Sequence, residues 1–138
     1  MATKNLLVTT LELSNTGFFI DLPNLLRNSR SFSILLLSGC TIVGSLPQLL
    51  CNLTQLHSLD LSHNNLRGHI PWSIFSLQQL SFLDLSYNNF LGQLPKIHSN
   101  STNNFSLYDS SVYAMGSTRS SLTTLSLSHN LLSGKIPS

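Results

Sequence analysis

A thirteen-residue phrase that returns at a fixed interval constrains this chain more than any other feature of its sequence. Residues 59–71 read LDLSHNNLRGHIP and residues 83–95 read LDLSYNNFLGQLP, a shift of 24 positions. Related phrases begin at Leu11, Leu35 and Leu125. All five prolines occupy one position of the phrase and four of the seven glycines another: Pro23, Pro47, Pro71, Pro95 and Pro137, with Gly44, Gly68, Gly92 and Gly134. Repeats of this period predict similar units that stack side by side into a solenoid.

Each unit contains a short strand. Leucines alternate with polar residues at 58–62, and a period of two is typical of a strand with Leu59 and Leu61 on one face. One such strand cannot bury its leucines alone, but strands stacked about 4.8 Å apart form a parallel sheet with a leucine core behind it. The sequence therefore predicts parallel strands in chain order, centred near residues 11–13, 35–37, 59–61, 83–85 and 125–127.

An asparagine follows the strand in three units: Asn64, Asn88 and Asn130. A side-chain amide inside a sharp turn satisfies backbone groups of its own coil and of the adjacent coil, which would be costly to bury unpaired. Thr16 and Cys40 stand at this position in the first two units. Because the first unit also has Ile20 at the glycine position, we expect it to be degenerate.

The pattern L-x-x-L-x-L-x-x-N/C-x-L resembles the leucine-rich repeat, and the G-x-I-P ending resembles its plant-specific subclass. The resemblance implies a leucine-rich-repeat solenoid, mostly strand and coil, with one parallel sheet of about five short strands on its concave face. It implies a single domain, 1–138, with repeats at 5–28, 29–52, 53–76, 77–100 and 119–138. This subclass forms extracellular domains of receptor-like proteins, receptor-like kinases and polygalacturonase-inhibiting proteins. The phrases LCNLTQLHSLDLSHNNL and NLLSGKIPS are most similar to receptor-like proteins of the defence type.

Charge is sparse, and this excludes some functions. Asp, Glu, Lys and Arg make up 9% of the residues, against roughly 25% in an average soluble domain. A net charge of +2 without a cluster of basic residues gives no footprint for nucleic acid. We find neither a run of 18 apolar residues nor a signal-peptide pattern in this chain.

Eighteen residues, 101–118, interrupt the repeat before its last unit. They contain Phe105, Tyr108 and Tyr113 and have no leucine periodicity. We expect a surface loop, because insertions within repeats map to loops on one face. In the family that the chain resembles, such an interruption can also form an island that takes part in ligand recognition.

The sequence gives little support for a disulfide, a metal site or an enzyme active site. A bridge between Cys40 and Cys51 is not expected, because one belongs to the interior turn and the other to the far connecting segment. The histidines occupy different positions of the repeat without metal-ligand spacing, so we expect no metal and no cofactor. Ser62, His63 and Asp84 are all on the strand face, yet no strained nucleophile turn or oxyanion hole accompanies them, so we expect no enzyme.

Three sequons are candidates for N-linked glycosylation, at Asn52, Asn100 and Asn104. Chains rich in Ser and Asn also generate this pattern by chance. The resemblance to secreted ectodomains favours glycans on some of them. Sugar at Asn100 and Asn104 would cover the base of the insertion.

The strand positions that need not be leucine are free for recognition. Ile34, Leu36 and Phe82 are apolar where solvent is expected, a feature that marks interfaces when such residues cluster. Asp60 and Asp84 fall on the same position of neighbouring units. The candidate ligand-binding residues of the concave face are Ile34, Leu36, Ser58, Asp60, His63, Phe82, Asp84, Tyr87, Ser126 and His129.

These observations favour a binding module. The resemblance implies an extracellular fragment of a receptor-like protein in defence or developmental signalling, which recognises a protein, peptide or glycan ligand and a co-receptor. It implies the outer face of the plasma membrane as part of a longer receptor, or secretion. The paired-cysteine caps typical of such ectodomains are absent, which favours a fragment. Two alternatives remain open: a secreted inhibitor of a polysaccharide-degrading enzyme, and a non-functional truncated receptor remnant.

Overall fold

The computed structural model describes residues 8–93, 106–108, 112–114 and 121–133. The described chain winds into stacked coils, each of which contributes one strand to a shared sheet. In chain order the elements are β1 (Thr10–Glu12), α1 (Leu22–Asn28), β2 (Ile34–Leu36), β3 (Val43–Gly44), a 3-10 helix (Gln48–Asn52), β4 (Ser58–Asp60), β5 (Asn65–Gly68), a second 3-10 helix (Trp72–Ser76), β6 (Phe82–Asp84), β7 (Asn89–Gly92), β8 (Ser106–Tyr108), β9 (Val112–Ala114), β10 (Thr124–Ser126) and β11 (Leu131–Leu132).

The first sheet confirms the predicted fold class. Its parallel part runs β1-β2-β4-β6-β10, so that sequence order is spatial order. The register places one leucine of each strand in line across the sheet: Leu11, Leu35, Leu59, Leu83 and Leu125. Each strand lies one residue earlier in the chain than the expected centre. β1, β2, β4 and β6 begin 24 residues apart, so the period of 24 is the length of one complete coil.

The described part of the insertion differs from the expected loop. β8 and β9 pair antiparallel with each other, and β9 pairs antiparallel with β10. The sheet thus has seven strands, in the order β1-β2-β4-β6-β10-β9-β8, rather than about five that are all parallel. The physical reason is that β10, as an edge strand, would leave N–H and C=O groups unpaired on the side away from β6. β9 pairs with that edge.

A second parallel sheet, which the sequence analysis did not predict, joins the coils on another side. Its order is β11-β7-β5-β3. β3, β5 and β7 end at Gly44, Gly68 and Gly92. These glycines have φ of +91°, +83° and +88°, a region that glycine adopts without steric cost. Ile20 replaces this glycine in the first coil, where a single bridge between Phe19 and Thr41 stands in place of a strand.

Short helices close the coils on the side away from the first sheet. The longest, α1, is capped by Asp21, whose Oδ1 accepts a hydrogen bond from the backbone N–H of Asn24 at 3.0 Å. Pro47 and Pro71 directly precede the two 3-10 helices. Among the described residues, no helix is long and apolar enough to cross a membrane.

The asparagine positions tie neighbouring coils together as predicted. Asn88 is buried, and its Nδ2 donates to the carbonyls of Leu85 and Ser86 in its own turn and to that of Leu61 in the preceding coil. Its Oδ1 accepts from the backbone N–H of Leu66 at 3.0 Å. Asn64 and Asn130 repeat this pattern of contacts one coil earlier and one coil later.

Replacing Asn88 tests this ladder. Asn88→Ala removes four hydrogen bonds and leaves the buried N–H of Leu66 unpaired. We expect a loss of about 2–4 kcal/mol in the free energy of unfolding, measured by urea denaturation. The neighbouring Asn89 is exposed, so Asn89→Ala is the matched control and should stay within about 0.5 kcal/mol. Equal effects of the two changes would contradict the ladder.

Candidate functional site

The solvent-facing side of the first sheet and the turn that follows it form a grid, here called the strip. Each row takes one residue from each coil and runs across the coils. Neighbouring rows among the first three are two residues apart in the chain, because strand residues two apart point to the same side. The fourth row is the turn residue that follows the third. The four rows are Thr10, Ile34, Ser58, Phe82 and Thr124; Glu12, Leu36, Asp60, Asp84 and Ser126; Ser14, Ser38, Ser62, Ser86 and Ser128; and Asn15, Gly39, His63, Tyr87 and His129.

All ten residues that the sequence analysis selected for ligand binding lie on the strip. Seven of them are half-buried in their rows: Ile34, Leu36, Ser58, Asp60, Phe82, Asp84 and Ser126. The other three, His63, Tyr87 and His129, are exposed in the last row. The structure therefore brings the set together on one surface, and its role in binding remains a prediction.

The two aspartates of the second row face each other across β4 and β6. Asp60 and Asp84 are partners in the parallel register, so their Cα atoms are about one strand spacing apart. The Oδ1 of Asp60 accepts from the backbone N–H of Ser62 at 2.9 Å and from its hydroxyl at 2.6 Å. Asp84 makes the same two contacts with Ser86. One oxygen of each carboxylate thus serves its own turn, and no described residue bonds to the second.

The serine row differs from the expectation that it belongs to the free face. Ser62 and Ser86 are only 4% and 5% exposed. The carboxylates of the preceding row fold over them, and the Oγ atoms of Ser62 and Ser38 lie 2.7 Å apart. These hydroxyls already form hydrogen bonds within the turn, so they are poor candidates for contact with a ligand.

The last row has an unusual backbone and an ordered set of rings. Asn15, His63, Tyr87 and His129 have φ of +61°, +53°, +53° and +53°, and Gly39 has +64°. Positive φ is uncommon for residues other than glycine and asparagine, and notable for one as bulky as tyrosine. The Tyr87 ring stacks between the two imidazoles, with centroid distances of 4.2 Å to His63 and 4.1 Å to His129.

The ring stack was not predicted as a unit, although its three members were selected separately. The available signal was that an aromatic or imidazole ring recurs immediately before the ladder asparagine in three coils. The sequence analysis considered those histidines as possible metal ligands and found no ligand spacing. Among the residues that the structure describes, no group of His, Cys, Asp or Glu is arranged to hold a metal ion.

Charge is segregated on the strip. Its charged side chains are three acids, Glu12, Asp60 and Asp84. Within the described ranges no lysine or arginine lies on it, because Arg27 is on α1, Arg67 is on β5 and Arg30 follows α1. The strip is thus negative in a chain whose formal net charge is +2.

The remaining candidates lie elsewhere. Asn52 is exposed at the end of the first 3-10 helix, on the side of the coil away from the strip. Asn100 and Asn104 lie outside the described residues. Cys40 and Cys51 are both free thiols: the first donates to the carbonyl of Leu13 at 3.2 Å in the interior turn, and the second lies 2.9 Å from the Ser73 hydroxyl on the helix side.

Solved structures of plant receptors are similar to this geometry. A comparison of the sequence with curated proteins found no match. A chain in the crystal structure of the BIR3–SERK2 complex from Arabidopsis thaliana is similar over 99% of this chain and 64% of its own, at 33% identity and a TM-score of 0.77. A chain in the structure of the Arabidopsis receptor kinase HAESA with the peptide hormone IDA and the co-receptor SERK1 matches 94% of this chain at 29% identity and a TM-score of 0.73.

A third similar structure is the LRR ectodomain of the plant membrane receptor kinase GASSHO1/SCHENGEN3 from Arabidopsis thaliana in complex with CASPARIAN STRIP INTEGRITY FACTOR 2. It is 32% identical over 64% of this chain, with a TM-score of 0.58. The present chain spans 19% of the chain matched in the HAESA complex and 11% of that matched in the GASSHO1 complex.

The repeat itself matches the family model described as Leucine Rich Repeat at residues 31–53, 55–77, 79–101 and 121–138, together more than half of the sequence. These matches coincide with the coils that carry β2, β4, β6 and β10. The chain belongs to the leucine-rich-repeat family.

Proposed function

We propose that this chain is an extracellular recognition module of a longer plant receptor-like protein, and that it binds a peptide or protein ligand through the strip. The observation that carries the proposal is the division of labour within each coil. Inward residues and the asparagine ladder hold the fold. The second oxygens of Asp60 and Asp84 bond to no described residue, and the rings of His63, Tyr87 and His129 stack on one another at the exposed surface. The proposal assigns binding to the chain and not catalysis.

The comparisons support this proposal by analogy. Two of the similar structures are a receptor kinase in complex with a peptide hormone and a co-receptor, and the GASSHO1/SCHENGEN3 ectodomain in complex with CASPARIAN STRIP INTEGRITY FACTOR 2. A ligand of the same class and a co-receptor are the partners we propose here. Signalling in defence or development, and a position on the outer face of the plasma membrane, belong to the same proposal.

Removing the two carboxylates tests where the ligand binds. A phage-displayed library of random peptides is first selected on the folded chain, and the affinity of the selected peptides is then measured by biolayer interferometry. Asp60→Asn with Asp84→Asn removes both charges but keeps an oxygen that accepts from Ser62 and Ser86, whereas alanine would remove those bonds. We expect this double variant to bind the selected peptides at least tenfold more weakly.

The control lies on the opposite side of the coil. Gln48 is exposed at the start of the first 3-10 helix, so Gln48→Ala should change the affinity by less than twofold. Equal loss in both variants, or loss in neither, would move the binding site off the strip.

Passage through a secretory pathway gives a second test, because it would expose the sequon at Asn52 to glycosylation. Asn52 and Thr54 are exposed, whereas Leu53 between them is 1% exposed and packs into the core. A glycan on Asn52 would project from the helix side and leave the strip uncovered. We propose that Asn52 carries such a glycan.

With a signal peptide added and expression in plant cells, we expect tryptic peptides containing Asn52 to carry an N-glycan by mass spectrometry. Thr54→Ala should abolish that glycan, and Thr54→Ser, which keeps the sequon, should retain it. An unmodified Asn52 in chain recovered from the medium would contradict this assignment.

A further inference from the structure

Gly39 leaves a gap in the ring row of the strip. One face of the His63 imidazole is covered by Tyr87, at a centroid distance of 4.2 Å. The opposite face is turned toward the coil of Gly39, which has no side chain to continue the stack. The next residue of the row beyond the glycine is Asn15. The gap above Gly39 is therefore bounded by the His63 ring on one side, and the Asn15 side chain leans over the glycine from the other.

The gap suits one planar group, because the surface it offers for stacking is flat. That surface is the face of the His63 imidazole opposite Tyr87.

Two oxygen acceptors border the gap. The Oδ1 of Asn15 leans over Gly39 so far that a Cβ on residue 39 would lie 2.7 Å from it, and this oxygen has no hydrogen bond to any described residue. On the other side, the bonds to Ser62 draw the Asp60 carboxylate toward the turn that carries His63. Only Oδ1 of that carboxylate is engaged in the described part of the chain, which leaves Oδ2 as an acceptor.

The charge of the strip selects among planar groups. Its three charged side chains are all acids, so a cationic group is attracted and a carboxylate or phosphate is repelled. A guanidinium is both planar and cationic, stacks on ring faces and donates several hydrogen bonds in one plane. A lysine ammonium carries the charge without the plane.

We infer that the gap above Gly39 binds one arginine side chain of the partner, stacked on His63 and hydrogen-bonded to Asn15 and Asp60. This inference rests on the proposed function, because it names the chemical group that the strip recognises. The His63–Tyr87–His129 stack acts as a support that holds the imidazole face upright before the guanidinium arrives. Such preorganisation reduces the entropy lost on binding.

The backbone of the row supports this assignment independently of charge. Glycine or asparagine adopts positive φ at lower cost than tyrosine or histidine, yet three consecutive positions of the row carry rings. Residues held in such conformations concentrate at sites of ligand contact. The rings are exposed, so burial in the core does not explain their presence.

The experiment uses three short probes and the full chain. Ac-Gly-Arg-Gly-NH2, Ac-Gly-Lys-Gly-NH2 and Ac-Gly-citrulline-Gly-NH2 are titrated separately, and the backbone amide signals of residues 60–63 are followed by NMR. The arginine probe should saturate these signals at a concentration at least fivefold lower than either of the others, since lysine lacks the plane and citrulline lacks the charge. Equal responses to arginine and lysine, or to arginine and citrulline, would overturn the inference.

Matched variants locate the site. Gly39→His fills the gap with a ring and should weaken the arginine probe at least tenfold. The cost of this change is small, because His63 and His129 adopt the same backbone conformation and the crowding atom belongs to the exposed Asn15 side chain. Gly17→His is the control: Gly17 also has positive φ, +66°, and no atom within 4 Å of its added Cβ, so the arginine probe should bind as it does to the unaltered chain.

A second pair separates stacking from fold. His63→Phe keeps a ring and should bind the arginine probe within threefold of the unaltered chain, whereas His63→Ala should bind it at least tenfold more weakly. Comparable loss in both, with an unchanged urea midpoint, would show that the ring face is not the contact and would overturn the inference.

The outcome can be told apart from failure of the proposed function. If library-selected peptides lose affinity in the double asparagine variant while the arginine probe fails to discriminate, recognition by the strip stands and the arginine assignment falls. If the selected peptides are insensitive to the double variant, the proposed function falls whatever the arginine probe does.

Discussion

In three of the five turns the amide of one asparagine satisfies four backbone groups, and the stacking of these coils depends on it. Asn64, Asn88 and Asn130 each donate to two carbonyls of their own turn and to one of the preceding coil, and each accepts an N–H from that coil. The turn must be buried for the leucine core to be continuous, and buried backbone groups without partners are costly. Cys40 and Thr16 each donate to the carbonyl of Leu13 instead, and neither reproduces the four bonds of an asparagine.

Because these interior hydrogen bonds hold the coils together, the outer face of the sheet can vary. The inward leucines and the ladder determine where each coil lies, so the outward residues contribute little to the fold and can be selected for contact with a partner. The exception is the row that precedes the asparagine, whose backbone has positive φ in every coil. That conformation directs its side chains alongside one another, and in three coils the result is a stack of rings.

The relation between the second and third rows shows how the same residues serve both purposes. Alternation along a strand places Ser62 and Ser86 outward, yet they are buried because Asp60 and Asp84 bond to them across two residues. The turn thereby uses one oxygen of each carboxylate, and the other bonds to no described residue. A pair of acids that looks like a purely functional feature is partly structural, and the ligand contact we propose for it falls to the remaining oxygens.

The sequence by itself determined the period of the coil, the five parallel strands, the leucine core and the work of Asn64, Asn88 and Asn130, because each follows from local alternation repeated at a constant interval. It also selected ten of the twenty residues of the strip. Only the tertiary structure decided the second sheet, where Val43 pairs with Asn65, 22 residues on rather than 24, and where each strand has too few residues to show a pattern. The pairing of β9 with β10 depends on an unpaired strand edge that no local pattern reveals. The ring stack and the gap above Gly39 likewise require the spacing between coils and the positive φ of each turn, which exist only once the coils are assembled.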